Sequence, residues 1–145
     1  MSEESEKAIK WKHRRFEEDR LQMACRYWFD LQYPNFKLLL HHSPNEGLLI
    51  NNAAGAKRKA MGVRAGFPDF ILLCSDHGEH NYLAIELKTE KGKQSPAQQD
   101  YERAIREFGG GKYVIVRSLD EFKAVIDDWL KVDKFLGLEK PWADC

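Results

Sequence analysis

The chain has no surplus of charge: 23 Lys and Arg stand against 23 Asp and Glu in 145 residues. That balance excludes a protein that meets nucleic acid through bulk charge, so any basic surface must be local. Cysteine is scarce. Cys25, Cys74 and Cys145 are widely spaced and odd in number, and two fall in apolar segments, so reduced thiols are expected rather than a disulfide framework. None stands at zinc spacing from His41-His42 or from His77 and His80. No apolar run reaches the roughly 20 residues of a membrane helix and no signal peptide is evident, so a cytoplasmic protein with no membrane partner is expected. Repeats and dividing linkers are also missing. What remains is 43% hydrophobic and 32% charged, ordinary for one globular domain with a real core.

The informative stretch runs from Gly62 to Gln98. Phe70 to Cys74 and Tyr82 to Lys88 are short apolar runs on either side of Ser75-Asp76-His77-Gly78-Glu79, which has turn composition. They form a hairpin. A turn centred between His77 and Gly78 places Asp69 opposite Glu86 at the open end. The period of two puts Tyr82, Ala84, Glu86 and Lys88 on one face of the second strand and Leu83, Ile85 and Leu87 on the other, towards the core. Asp69, Glu86 and Lys88 therefore cluster.

Two carboxylates roughly 4 Å apart repel by about 4 kcal/mol at an effective dielectric of 20, so they share a proton, gain a cation or move apart. One lysine offsets only one charge. Oxygen donors from Asp69 and Glu86, with the Leu87 carbonyl as another, suit a hard divalent ion such as Mg²⁺ or Mn²⁺. Such an ion activates water and clamps a phosphate, while Lys88 positions the water or neutralises developing charge.

Pro68-Asp69 followed by Glu86-Leu87-Lys88 resembles the PD-(D/E)xK nuclease signature. The flanks, Gly62-Val63-Arg64-Ala65-Gly66 before it and Ser95-Pro96-Ala97-Gln98 with Tyr101 after it, are similar to the VRR-NUC branch. The resemblance covers roughly Phe16 to Trp129. It implies an α/β, restriction-endonuclease-like core with a mixed central β-sheet flanked by helices. It also implies a metal ligand on the first helix, for which Glu18 is the matching position, and a place for Gln98 beside the metal and its water. Ser95-x-x-Gln98 reads equally as a capping box with Pro96 at the first helical position.

Along the chain, Met1 to Lys7 is acidic and is expected to fray. Lys7, Lys10, Lys12, His13, Arg14 and Arg15 interleave with Ile9, Trp11 and Phe16, either as a basic arm near phosphates or as a solvated helix face. From Glu18 to about Gln32, Leu21, Ala24, Cys25, Trp28 and Phe29 recur at helical spacing. Glu18 lies on the edge of that stripe, as a ligand or as a first-turn acid favoured by the helix dipole. Phe36 to His41 reads as the first strand and Ser43 to Met61 as a loop. That loop holds Lys57-Arg58-Lys59, followed by Arg64, and reads as a mobile solvated loop or, so close to the acids, as a track for phosphates, the reading favoured here. His42 and Asn45 are further candidates to border the site. Lys91 and Lys93 lie in a basic, flexible turn. Tyr101, Ala104, Ile105 and Phe108 continue a helix that ends at Gly109-Gly110-Gly111; Tyr113 to Val116 is a strand, and Ser118-x-x-Glu121 caps a last helix. The alternation implies a helical crossover between parallel strands. Residues 1–15 are expected as a basic arm, 16–131 as the nuclease domain and 132–145 as a tail whose Phe135, Leu136, Leu138 and Trp142 pack on the domain or on another subunit.

The expected function is divalent-metal-dependent, structure-selective DNA endonuclease activity. The resemblance implies a stand-alone Holliday junction resolvase acting on branched DNA as a homodimer, in a bacterial or phage-infected cell. Alternatives are a nuclease for flaps or duplex DNA, a branched-DNA-binding module without catalysis, and a protein-interaction module using Trp11 or the aromatic tail.

Overall fold

Ser2 caps the first element, its hydroxyl accepting from the Ser5 backbone N–H at 3.2 Å. Glu3, Glu4 and Glu6 then sit in the first turn, where the helix dipole favours acids. Helix α1 runs from Glu3–Gln32 without a break, so the frayed tail expected over Met1 to Lys7 is helical from its third residue. The computed structural model describes residues 1–44 and 53–135, with side chains as far as Leu130. The side chains of Phe135, Leu136, Leu138 and Trp142 lie outside the described residues, as do Asn45 and Cys145.

The chain divides into two compact units. The first comprises Met1–Leu38, Leu87–Lys93 and Ile115–Cys145, and the second Leu39–Glu86 and Gln94–Val114.

In the first unit α1 packs on the last helix, α4, Leu119–Phe135. Trp28 meets Phe122 edge to face at 5.9 Å, and the Tyr33 hydroxyl donates to Asp127 Oδ1. Cys25 and Phe29 are fully buried on that side of α1, and burial pushes the Cys25 thiol up to about 12. Pro34 ends the helix, because the residue before a proline is driven out of the α region. The expected strand from Phe36 to His41 is not formed there: Pro34–Leu39 is a 3₁₀ turn, with the Phe36 N–H bonded to the Tyr33 carbonyl. Phe36 is buried against the Tyr33 ring while Leu38 is 87% exposed, a division that the two-residue period of a strand would not allow.

In the second unit β1 is only Leu40–His42, and β2 is Phe70–Leu72. Between them the expected loop contains a helix, α2, Ala53–Ala60, with Lys57, Arg58 and Lys59 in its last turn, where carbonyl ends favour cations. Strand β3, Tyr82–Leu87, pairs antiparallel with β2: Phe70 faces Ile85, Ile71 faces Ala84 and Leu72 faces Leu83. One step further in this register stands the expected pair, Asp69 and Glu86. After β3, α3, Pro96–Ala104, continues as a π-type turn over Ile105–Gly109 and leads to β4, Gly111–Val116. The sheet order is β1-β2-β3-β4. The Asn81 and Lys88 N–H groups donate to Gly110 and Val116 carbonyls, so the numbers rise together and β4 runs parallel to β3. The sheet is mixed, as expected.

Every residue from Leu83 to Lys88 is buried. A middle strand is covered on both sides, which brings Glu86 and Lys88 into the interior.

The turn before β3 is held by Asp76. Its Oδ1 accepts from the Gly78 and His80 N–H groups at 2.8 and 3.1 Å, and its Oδ2 bonds His80 Nδ1 at 2.9 Å. Burial alone would raise its pKa, but these bonds and the imidazole together lower it below the ordinary 3.8. A depressed folded pKa gives stability that is present above the unfolded value and lost as pH falls through the folded one. Asp76→Asn should therefore be less stable than wild type at pH 7, with the gap closing below about pH 3.8 in acid-dependent urea unfolding. A gap that does not shrink at all as the pH falls below 3.8 would show that the charge is not its source.

Gly66 has φ +87°, and a Cβ there would lie 2.5 Å from the Ala97 carbonyl carbon. Gly66→Ala is predicted to destabilise the chain by about 2 kcal/mol, read from the shift in a denaturant midpoint.

Candidate active site

The second unit holds most of the chemistry. Gly66 lies against the start of α3 because it lacks a side chain, and Phe67 then meets Tyr101 edge to face at 5.4 Å. This contact ties the segment before Asp69 to the helix that carries Gln98. His42, at the end of β1, donates from Nδ1 to the Asp69 carbonyl at 2.7 Å, so the backbone of Asp69 is held from the neighbouring strand. Of the two residues considered as borders of the site, His42 touches it, and Asn45 is outside the described residues.

Glu86 is 2% exposed. Its Oε1 accepts from Gln98 Nε2 at 2.6 Å, and its Oε2 receives a long bond of 3.5 Å from the Tyr113 hydroxyl. The other end of the Gln98 amide closes the capping box: Oε1 accepts from the Ser95 N–H at 2.8 Å, and the Gln98 N–H donates to Ser95 Oγ. A backbone N–H can only donate and a carboxylate can only accept, so the two partners fix the amide orientation. The capping box is formed as read, and the other end of the same amide reaches Glu86.

Tyr113, 1% exposed, was not singled out by its sequence position, and neither were Gln94 and Glu102. Gln94 Nε2 donates to Glu102 Oε2 at 2.9 Å and to the Tyr113 hydroxyl oxygen at 3.2 Å. Burial raises the Tyr113 pKa, as do the charges of Glu86, Glu102 and Asp69, while the Gln94 bond opposes them. The phenol therefore stays protonated and donates. The signal available in the sequence was weak: an inward tyrosine on a strand reads as core.

Tyr113 thus sits in the field of Asp69 and Glu86 together. The donors are carboxylate oxygens, and among the described residues no group of three or more His, Cys, Asp and Glu side chains gathers as a metal cluster. A hard ion that keeps several waters and takes one or two carboxylates fits this set; a soft or fully protein-caged ion does not.

The remaining expected residues are distributed as follows. Lys88 is 8% exposed and Leu87 2%, both directly after Glu86 in the chain and both in the first unit; Glu18 is half-buried on α1 of that same unit. Lys57, Arg58, Lys59 and Arg64 are exposed in the second unit, and Lys91 and Lys93 are exposed in the first. The turn that carries Lys91 and Lys93, expected to be flexible, is clasped: Arg117 Nη1 donates to the carbonyls of Thr89, Glu90 and Gly92 at 2.8, 3.2 and 2.8 Å.

A mixed sheet whose hairpin sets an aspartate against a glutamate, with a lysine two residues on, defines a PD-(D/E)xK-type nuclease core. The VRR-NUC domain model matches residues 4–118, and the chain belongs to the VRR-NUC family. A solved VRR_NUC domain protein is similar over 79% of this chain and 88% of its own length, at 28% identity and a TM-score of 0.66. No curated protein gives a significant match. Membership implies a DNA-binding nuclease in a family that is typically metal-dependent.

Gln98 contributes a cap and a partner for a buried carboxylate; Ser95 contributes the cap alone. Gln98→Ala is therefore predicted to lose about 2 kcal/mol in urea unfolding and Ser95→Ala about 1 kcal/mol. Equal losses would show that the bond to Glu86 adds nothing.

Proposed function

We propose that the protein is a divalent-metal-dependent, structure-selective DNA endonuclease that hydrolyses phosphodiester bonds, Holliday junction resolvase-like and acting as a homodimer. The observation that supports this reading is the β2–β3 register, Phe70 against Ile85, whose next step would set Asp69 beside a Glu86 that Gln98 bonds. Asp69, Glu86 and the Leu87 carbonyl would hold Mg²⁺ or Mn²⁺, with Glu18 as the further acid that the family resemblance implies. When bound, such an ion neutralises the acids and lowers the pKa of a water beside the phosphate.

The chain's own groups do the rest. Gln98 and Tyr113 donate to Glu86 and hold its carboxylate in one orientation, which lowers the reorganisation needed when charge builds on the phosphate. His42 fixes the Asp69 backbone. Lys88, two residues after Glu86, supplies a cation for the attacking water or for the phosphorane oxygens. Arg58, Arg64, Lys57, Lys59, Lys91 and Lys93 meet the DNA backbone and set register without reading sequence. Paired cuts across a four-way junction require two sites related by a two-fold axis, hence the dimer.

Labelled four-way junction, flap and plain duplex DNA should distinguish the readings. Symmetric cuts in the junction are expected with Mg²⁺ or Mn²⁺ and none in EDTA. Asp69→Asn and Glu86→Gln should each lower the rate at least about a hundredfold while leaving thermal stability near that of wild type. Full activity in Asp69→Asn would remove the metal-site assignment. A monomer making single nicks would remove the resolvase, and junction binding without cleavage in any metal would leave a binding module.

A further inference from the structure

The second unit contains a cavity of about 710 Å³ that the acids do not line. Met61, Val63, Phe67 and Tyr101 form its apolar side, and the exposed side chains of Arg58 and Arg64 reach it from α2 and from the loop before Pro68. Among the described residues no carboxylate lines it and neither arginine forms a salt bridge with an acid. Its place in the chain ties it to the acids. Phe67 stands two residues before Asp69, and Tyr101 follows Gln98 by three residues on α3, which puts the two on one side of the helix.

A track for phosphates alone would need only the arginines. The apolar side calls for a flat, weakly polar group with an anion attached, and in DNA that is a base carrying its phosphate. The volume falls in the range of pockets that enclose a small ligand, roughly 300–1,000 Å³. A base inside an intact duplex has both faces covered by its neighbours and cannot present one to an aromatic wall.

We propose that this cavity takes one unstacked nucleotide next to the scissile phosphate, its base against Phe67 and Tyr101 and its phosphate between Arg58 and Arg64. It rests on the nuclease reading above and supplies the source of structure selectivity: branch points and single-stranded segments offer such a nucleotide, and plain duplex does so only at the expense of breaking a stack. Tyr101 and Arg64 are then specificity-determining residues, distinct from the acids that carry the chemistry.

The test is binding in EDTA, so that no strand is cut, to four-way junctions in which each nucleotide near the branch is replaced in turn by an abasic residue. For wild type one position should weaken binding about ten- to a hundredfold, the size of one lost base–aromatic stack. Tyr101→Leu should bind the intact junction more weakly by a similar factor and be indifferent to the abasic residue at that position. Arg64→Ala, whose side chain is exposed, guards against a folding defect at Tyr101; it should weaken binding and reduce the abasic effect. Thermal unfolding of each variant accompanies the measurement. If every abasic position leaves wild-type binding within twofold, or if the variant and abasic effects simply multiply, the cavity is not a base site. Cleavage of the same junctions with Mn²⁺ separates the two ideas. Normal cleavage without an abasic effect overturns the base site alone, and the coupled abasic effect without any cleavage supports the base site while overturning the nuclease reading.

Discussion

A carboxylate buried in the middle strand of a sheet needs partners, since an isolated charge in that setting costs several kcal/mol even after the protein relaxes. Glu86 is that carboxylate, and much of the second unit can be understood from how its oxygens are satisfied. Helix α3 must begin where Gln98 can reach it, so the Ser95-Pro96 start is a positional requirement as well as a cap. Strand β4 must deliver Tyr113 with its hydroxyl protonated, and Gln94 and Glu102 complete that chain of bonds. A network of this kind is stable only when every member is present, which concentrates the fold's specificity on a few polar residues.

Two of the groups that bond Glu86 are neutral donors. Gln98 and Tyr113 orient Glu86 but bring no positive charge of their own, so the negative field of Asp69 and Glu86 persists at Tyr113. That negative field is in keeping with a family whose members typically depend on metal. The same arrangement explains why a helix cap and an acid of the site share one amide: the cap makes Gln98 rigid, and rigidity sharpens the bond to Glu86.

The hairpin was legible because register depends on local quantities, the length of the turn and the period of two, and the pairing of Phe70 with Ile85 follows the expected one. The Ser95–Gln98 capping box was legible for the same reason, whereas the Ser2 cap was not, and at Ser118 only half of the expected box forms, the Glu121 carboxylate accepting from the Arg117 N–H. The segment Phe36 to Leu39 was not, because its hydrophobic composition suits a strand while Pro34 and the burial of Phe36 against Tyr33 hold it as a 3₁₀ turn. The burial of both faces of β3 depends on tertiary neighbours, which a local pattern does not contain. Tyr113 carried no distinguishing pattern, since its role arises from a contact with a residue 27 positions away.

The Arg117 clasp bears on the loop that separates β3 from α3. Three carbonyl oxygens of that loop converge on one guanidinium nitrogen, so the backbone that carries Lys91 and Lys93 is ordered when the chain folds. An anion approaching those lysines finds their Cα positions already set. Only the side-chain rotamers, on the order of 0.5–1.5 kcal/mol each, are left to be lost on contact, and the entropy of the loop itself does not enter.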